Sequence, residues 1–157
     1  MIQMYTTPSC SSCRKAKKWF EEHRIPYREK NIFNVQLTRD DIMSMLRHSE
    51  AGFEDIISKR SKVFQERELN LEDMSLNELT DFIIENPSVL RRPIIIEDEK
   101  MQVGYNEDEI RAFIPKRLRE IIMCTTCDKG EDCDYRHALE QYFSELRQKE
   151  QRQESRS

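Results

Sequence analysis

Residues 1–33 admit few architectures. Ile2, Gln3, Met4 and Tyr5 alternate apolar and polar side chains, the period of a short strand. Pro8 and Ser9 break that strand, and the stretch 9–12 supplies serines that can cap a helix. Ala16, Trp19, Phe20 and His23 then recur at helical spacing, while Arg14, Lys15, Lys17 and Lys18 point mostly outward. Pro26 ends the helix, and residues 27–33 read as a second strand. This is a βαβ opening, and it sets Cys10 and Cys13 at the strand-to-helix turn, one helical turn apart.

Residues 38–86 read as mainly helical. Thr38 caps one helix with Asp40 and Asp41 in its first turn, and Ser75 with Glu78 is a capping-box signature for another. Gly52 falls between two helical patterns and reads as a turn. Arg91, Arg92 and Pro93 then precede an apolar run, Ile94 to Ile96, followed by a turn at 97–100 and by Met101, Gln102, Val103 and Gly104. That is a β-hairpin pattern. Asn106 caps a helix carrying Ile110 and Phe113, and Pro115 separates it from a basic helix over 116–123. The expected fold is α/β: a thioredoxin-like mixed sheet covered by helices, with an inserted helical subdomain at about 38–86. A proline directly before the third strand stands where such a fold places a cis-proline against its Cys-x-x-Cys turn, so the bond before Pro93 is expected to be cis. The domain covers 1–119. A Cys/His-containing helical extension follows at 120–149, and the polar segment 150–157 reads as a disordered tail.

The net charge of -4 disfavours a stand-alone, sequence-blind DNA binder, because phosphate binding needs a surplus of Lys and Arg, although a locally basic face stays open. No run approaches the roughly 18 apolar residues of a membrane span. The start, MIQMYTTPSC, shows neither a basic leader nor an apolar signal core. The chain is therefore expected to be cytoplasmic, with no membrane partner. In a reducing cytosol, five cysteines point to catalysis, redox sensing or metal binding before a structural disulfide framework.

The thiolate is the reactive form of cysteine. Cys10 sits at the expected helix N-terminus, where the dipole favours negative charge. Arg14 follows one turn later, and Arg92 is expected across from it beside Pro93, so Cys10 is the expected nucleophile. Cys13 is close enough to resolve a sulfenic acid at Cys10 as a disulfide. The bland alternative is a chance pair of small buried residues. The motif alone does not separate an enzyme from a sensor.

Further on, Cys124, Cys127, Cys133 and His137 read C-x2-C-x5-C-x3-H. Three thiolates and one imidazole suit one closed, structural tetrahedral Zn2+ site. The alternative is a loose tail whose cysteines are incidental or form disulfides under stress. His23 and His48 have no ligand partners in sequence and read as packing or surface residues.

Four blocks carry a resemblance: TTPSCSSCRKA from Thr6, IISKRSKVFQ from Ile56, VLRRPIII from Val89 and QVGYNEDEIR from Gln102. Over residues 1–119 the chain resembles the Spx family, redox-responsive transcriptional regulators of low-GC Gram-positive bacteria in the arsenate reductase-like branch of the thioredoxin fold. The resemblance implies binding to the C-terminal domain of the RNA polymerase α subunit and a redirection of transcription during thiol stress. Promoter DNA would be touched only together with polymerase. It also implies turnover by a Clp-type ATP-dependent protease with its adaptor, and no cofactor in the core domain. Matched residue by residue, Cys10 and Cys13 would form the switch disulfide and Arg92 would interact with it. Gly52 would lie at the polymerase contact, with Arg60 and Lys62 in the neighbouring helix. Without the resemblance, Gly52 is a helix-ending turn and Arg60 and Lys62 are a solvated face. The extension past 119 exceeds the family pattern.

The competing class is a thiol-dependent oxidoreductase of the arsenate reductase or glutaredoxin type. Cys10 followed by Arg14 fits it. The reductases of this branch, however, place a His four residues before the nucleophile, where this chain has Thr6. They also hold the oxyanion with an arginine after the hairpin, where this chain has Tyr105, Asn106 and Glu107, and a carboxylate there repels arsenate. The helical insertion is foreign to a minimal glutaredoxin. A non-enzymatic regulator is the expected class.

Overall fold

The computed structural model describes residues 1–67, 70–116, 118–119, 141–142, 144–145, 147–148 and 151–152. Met1–Phe113 forms one compact unit and Ile114–Ser157 a second.

In the first unit, β1 (Ile2–Thr6) runs parallel to β2 (Tyr27–Asn31) and antiparallel to β3 (Ile94–Glu97), and β3 pairs antiparallel with β4 (Lys100–Val103). The strand order is β2-β1-β3-β4, so β1 and β3 are central. Ile2, Met4 and Tyr5 on β1 and Ile94, Ile95 and Ile96 on β3 are all buried, as strands covered on both faces require. The edge strand β2, YREKN, carries the charges that discourage pairing with another chain. Helix α1 (Ser11–Glu22) makes the crossover and buries Cys13, Ala16, Trp19 and Phe20. Its N-cap is Cys10, with no side-chain cap bond, so the serines at 9–12 do not play the capping role that their type suggests.

The insertion holds α2 (Arg39–His48), α3 (Phe53–Ile56), α4 (Lys62–Glu66), a 3-10 turn (Leu71–Asp73) and α5 (Leu76–Glu85). Both expected capping boxes are closed, at Thr38 with Asp41 and at Ser75 with Glu78. A second 3-10 turn, Pro87–Val89, leads back to the sheet. Ile42, Met45, Ile56, Phe82 and Ile83 from the insertion share one core with Tyr5, Leu90, Ile94 and Ile96. The insertion is thus fused to one face of the sheet. The segment after β4 departs from expectation in detail. Asn106 accepts from the Asp108 and Glu109 amides, but the turn it caps is a 3-10 helix, Glu109–Phe113. An apolar pair three residues apart is satisfied by 3-10 geometry as well as by an α-helix, and Ile110 and Phe113 are both buried.

In the second unit Lys116, Leu118 and Arg119 are helical, as are Gln141, Tyr142, Ser144, Glu145, Arg147, Gln148, Gln151 and Arg152. The expected zinc ligands Cys124, Cys127, Cys133 and His137 lie outside the described residues. No helix among the described residues is long and apolar enough to cross a membrane.

One buried charge fastens the insertion to β1. Asp41 accepts from the Tyr5 hydroxyl (2.8 Å) and the Lys30 ammonium (2.6 Å) at Oδ1, and from the Thr38 amide and hydroxyl (both 3.0 Å) at Oδ2. Burial pushes the Asp41 carboxyl up, but these donors outweigh it and hold the group below its ordinary value. The wild type therefore keeps this contribution above about pH 4 and loses it as the pH falls through the depressed native value. Asp41→Asn is expected to destabilise the protein by about 2 kcal/mol at neutral pH, with the deficit shrinking at acid pH. Urea denaturation of both proteins at pH 7 and pH 3 measures this, and an equal deficit at the two values would contradict it.

Candidate functional site

The chain leaves β1 at Thr6 and turns into α1 through residues 7–10. The Cys10 amide donates to the Thr7 carbonyl at 3.3 Å, and the Arg14 amide donates to the Cys10 carbonyl at 3.1 Å to begin the helix. Cys10 is half-buried, Cys13 is fully buried, and both thiols are free. The antiparallel β1–β3 pairing brings the other side of the site: the Arg92–Pro93 bond is cis, as expected, and the Cys10 thiol makes a long 3.9 Å contact to the Arg92 carbonyl.

The two cysteines have different surroundings. Burial pushes the Cys13 thiol up to about 12; the Thr7 N–H directed at its sulfur and the Arg92 charge work against that, while Cys10 adds to it. Arg92 thus meets Cys10 through its carbonyl and acts on Cys13 through its guanidinium. Arg14, expected to face Cys10, donates instead to the Pro8 carbonyl at 3.3 Å in an exposed position. The pair is arranged with one thiol open to a reagent and the other held behind it.

Thr6 has a structural partner. Its hydroxyl donates to Glu29 Oε1 at 2.5 Å, and Lys17 completes the group at 3.1 Å. Burial raises the Glu29 carboxyl, yet the Thr6 hydroxyl and the Lys17 ammonium bring it below its ordinary value. The described histidines are engaged elsewhere. His23 stacks on Trp19 at 4.1 Å with Nδ1 at the Trp19 carbonyl. The ring of His48 lies between the Ser44 and Asp98 carbonyls. Glu107 is exposed, in the segment after the hairpin where an oxyanion reductase is expected to carry an arginine.

Gly52 is the residue before α3, at φ 65° and ψ -130°, backbone that side chains other than hydrogen rarely adopt. A Cβ there would meet nothing within 4 Å, so the demand for glycine comes from the main chain. Arg60 and Lys62 flank the start of α4 and line a hollow of about 430 Å³ with Arg92, Ser58, Ser61, Val63 and Ser88. None of its three cations forms an ion pair among the described residues. The structure therefore joins Arg60 and Lys62 to Arg92, and Gly52 is not part of that lining. Sequence reasoning missed the hydroxyls of Ser58, Ser61 and Ser88, and it missed Thr7; a main-chain bond to sulfur leaves no mark in residue type or spacing. No group of three His, Cys, Asp or Glu side chains among the described residues is placed to hold a metal.

A dithiol at the first strand-to-helix turn, facing a cis-proline that opens an antiparallel strand, defines a thioredoxin-like α/β protein. The chain belongs to the ArsC family, which it matches over residues 5–113. Over 119 residues it is 55% identical to the global transcriptional regulator Spx of Bacillus subtilis and 54% identical to that of Listeria innocua, in each case 76% of this chain and 91% of the relative. Solved structures share the fold at lower identity. A putative ArsC family related protein from Bacteroides fragilis matches with a TM-score of 0.64 at 24% identity, over 71% of this chain and 96% of that one. A possible arsenate reductase from Streptococcus mutans matches with a TM-score of 0.60 at 23% identity, over 68% and 92%. The chain is thus a transcriptional regulator of the ArsC family and not an enzyme, on a fold it shares with arsenate reductases.

The unequal burial of the two thiols has a direct consequence. Iodoacetamide added to the reduced native protein is expected to label Cys10, with Cys13 labelled only after denaturation. Mass analysis of the tryptic peptide ending at Arg14, which holds both cysteines, reads the outcome. Equal labelling of the two in the native state would contradict the geometry.

Proposed function

We infer that this regulator is switched by a disulfide between Cys10 and Cys13 and acts by binding the C-terminal domain of the RNA polymerase α subunit during thiol or oxidative stress. The observation that carries this reading is the double engagement of Arg92. Its carbonyl receives the Cys10 thiol, its charge acts on Cys13, and its side chain lines the basic hollow beside Arg60 and Lys62. With a hydroperoxide as oxidant, Cys10 takes up oxygen as a sulfenic acid and releases an alcohol. Cys13 then attacks the Cys10 sulfur, the S–S bond forms, and the oxygen leaves as water with the Cys13 proton. The Cys10 thiol no longer binds the Arg92 carbonyl, and the surface that Arg92 helps to build responds. No substrate is needed, because the disulfide is itself the signal.

In this reading Gly52, Arg60 and Lys62 form the polymerase contact, and promoter DNA is reached only alongside polymerase, in keeping with the net charge of -4. The site of action is the cytoplasm, and turnover is by a Clp-type protease with its adaptor. We also infer a structural Zn2+ at Cys124, Cys127, Cys133 and His137, on their spacing alone.

Two experiments test these readings. In a pull-down with the α C-terminal domain, Gly52→Arg is expected to abolish capture. Gly52→Ala imposes only the backbone strain, about 1–2 kcal/mol of stability, and is expected to retain capture. Undiminished capture by Gly52→Arg would remove the proposed contact. Metal analysis of the purified reduced chain is expected to find one zinc per molecule, lost in Cys133→Ser. Absence of zinc from the wild type would discard the site.

A further inference from the structure

His48 is the last residue of α2, and its half-buried ring has a carbonyl oxygen at each nitrogen. Nδ1 lies 2.6 Å from the Ser44 carbonyl of its own helix, and Nε2 meets the Asp98 carbonyl in the turn between β3 and β4. A carbonyl oxygen can only accept. The neutral imidazole has one N–H and one bare nitrogen, so in either tautomer one of these contacts would set a lone pair against a carbonyl oxygen. Only the ring with a proton on both nitrogens donates at both ends. The place favours that form further, because the last turn of a helix presents unpaired carbonyls and the negative end of the dipole.

Charged groups on the neighbouring elements do not replace this pattern. No carboxylate forms an ion pair with the ring among the described residues. On α3, Asp55 accepts from the Glu50 and Ala51 amides, and Glu54 accepts from Lys59. On α5, Asp81 holds Arg39, Glu78 closes its capping box and Glu85 is exposed. On the hairpin, Glu97 stands opposite Lys100 in register, and Glu99, beside Asp98, is exposed. Arg47 and Glu50, close to His48 in the chain, are exposed as well, so these charges act on the ring through solvent.

We propose that His48 is a pH-sensitive clasp: the doubly protonated ring bonds the end of α2 to the β3–β4 turn, and loss of one proton releases one of the two carbonyls. The cation is bonded in the folded protein and only hydrated in the unfolded chain. The clasp therefore contributes fully below the ordinary imidazole range, about 6.5, and its contribution is lost as the pH rises through the folded protein's own titration. That direction is opposite to the Asp41 cluster, which weakens as its carboxylate is protonated. The insertion is thus held to the sheet by one device that fails in acid and by another that fails in base.

The test compares the full chain with His48→Gln by urea unfolding at about pH 5.5 and about pH 8, on either side of the ordinary imidazole range. At the lower pH the variant is expected to have an unfolding equilibrium constant about tenfold larger than the wild type, and at the higher pH the gap is expected to close. Subtracting the variant from the wild type cancels every other titrating group. If His48→Gln folds poorly, His48→Asn removes the same ring and is read in the same way. NMR of the ring nitrogens at the lower pH supplies a readout that packing alone would not move. Both ring N–H protons of His48 are expected to be protected from exchange with water in the folded protein. An equal gap at the two pH values, no gap at the lower one, or rapid exchange at either nitrogen overturns the proposal.

Discussion

The pairing of β1 with β3 is the constraint on which the site depends. Gln3, Met4 and Tyr5 lie against Ile96, Ile95 and Ile94, and that register carries the turn after β1 to the chain just before β3. Cys10 and Arg92 are remote in sequence, yet they meet because the two buried central strands pair antiparallel in this register. A slip of one residue would exchange the faces on which those side chains pack and carry Arg92 away from the thiols.

Around that meeting point the dithiol turn has other companions than those expected of an oxyanion reductase. Reductases of this fold need a place for an oxyanion and a route for external thiols. Here the residue four before Cys10 spends its hydroxyl on Glu29, an exposed carboxylate occupies the segment after the hairpin, and the second thiol is buried one helical turn behind the first. Burial pushes the Cys13 thiol up and leaves Cys10 the more open of the two, so in the proposed switch the open thiol meets the oxidant and the closed one resolves it.

The insertion supplies what the sheet lacks, a surface. Its helices are fixed to the sheet through a shared core and through the Asp41 cluster, so α3 and α4 are presented by a rigid base. Ser61 caps α4, and Arg60 and Lys62 line one hollow with Arg92, the residue whose carbonyl meets Cys10; this is the surface the proposed polymerase contact would use. The proposed coupling would need no long pathway, since Arg92 belongs to both places.

Much of this was legible in the amino-acid order. The βαβ opening, the two capping boxes and the hairpin after Pro93 follow from local rules of period, capping and turn chemistry, which act over a few residues and so leave their mark in sequence, while the cis bond before Pro93 was expected from the fold that these elements imply. The same rules misjudged the start of α1, capped by Cys10 with no side-chain bond, and the segment carrying Ile110 and Phe113, where 3-10 geometry buries the same pair. Residue types and spacing also named Cys10, Cys13 and Arg92, whereas Gly52, Arg60 and Lys62 were named only by the family resemblance. What only the tertiary structure decided is who meets whom. Arg14 turns to Pro8, Arg92 joins Arg60 and Lys62, and the Thr7 carbonyl accepts from the Cys10 amide. Those outcomes depend on strand register and on the depth of burial, which are properties of the packed sheet and are encoded in no single stretch of the chain.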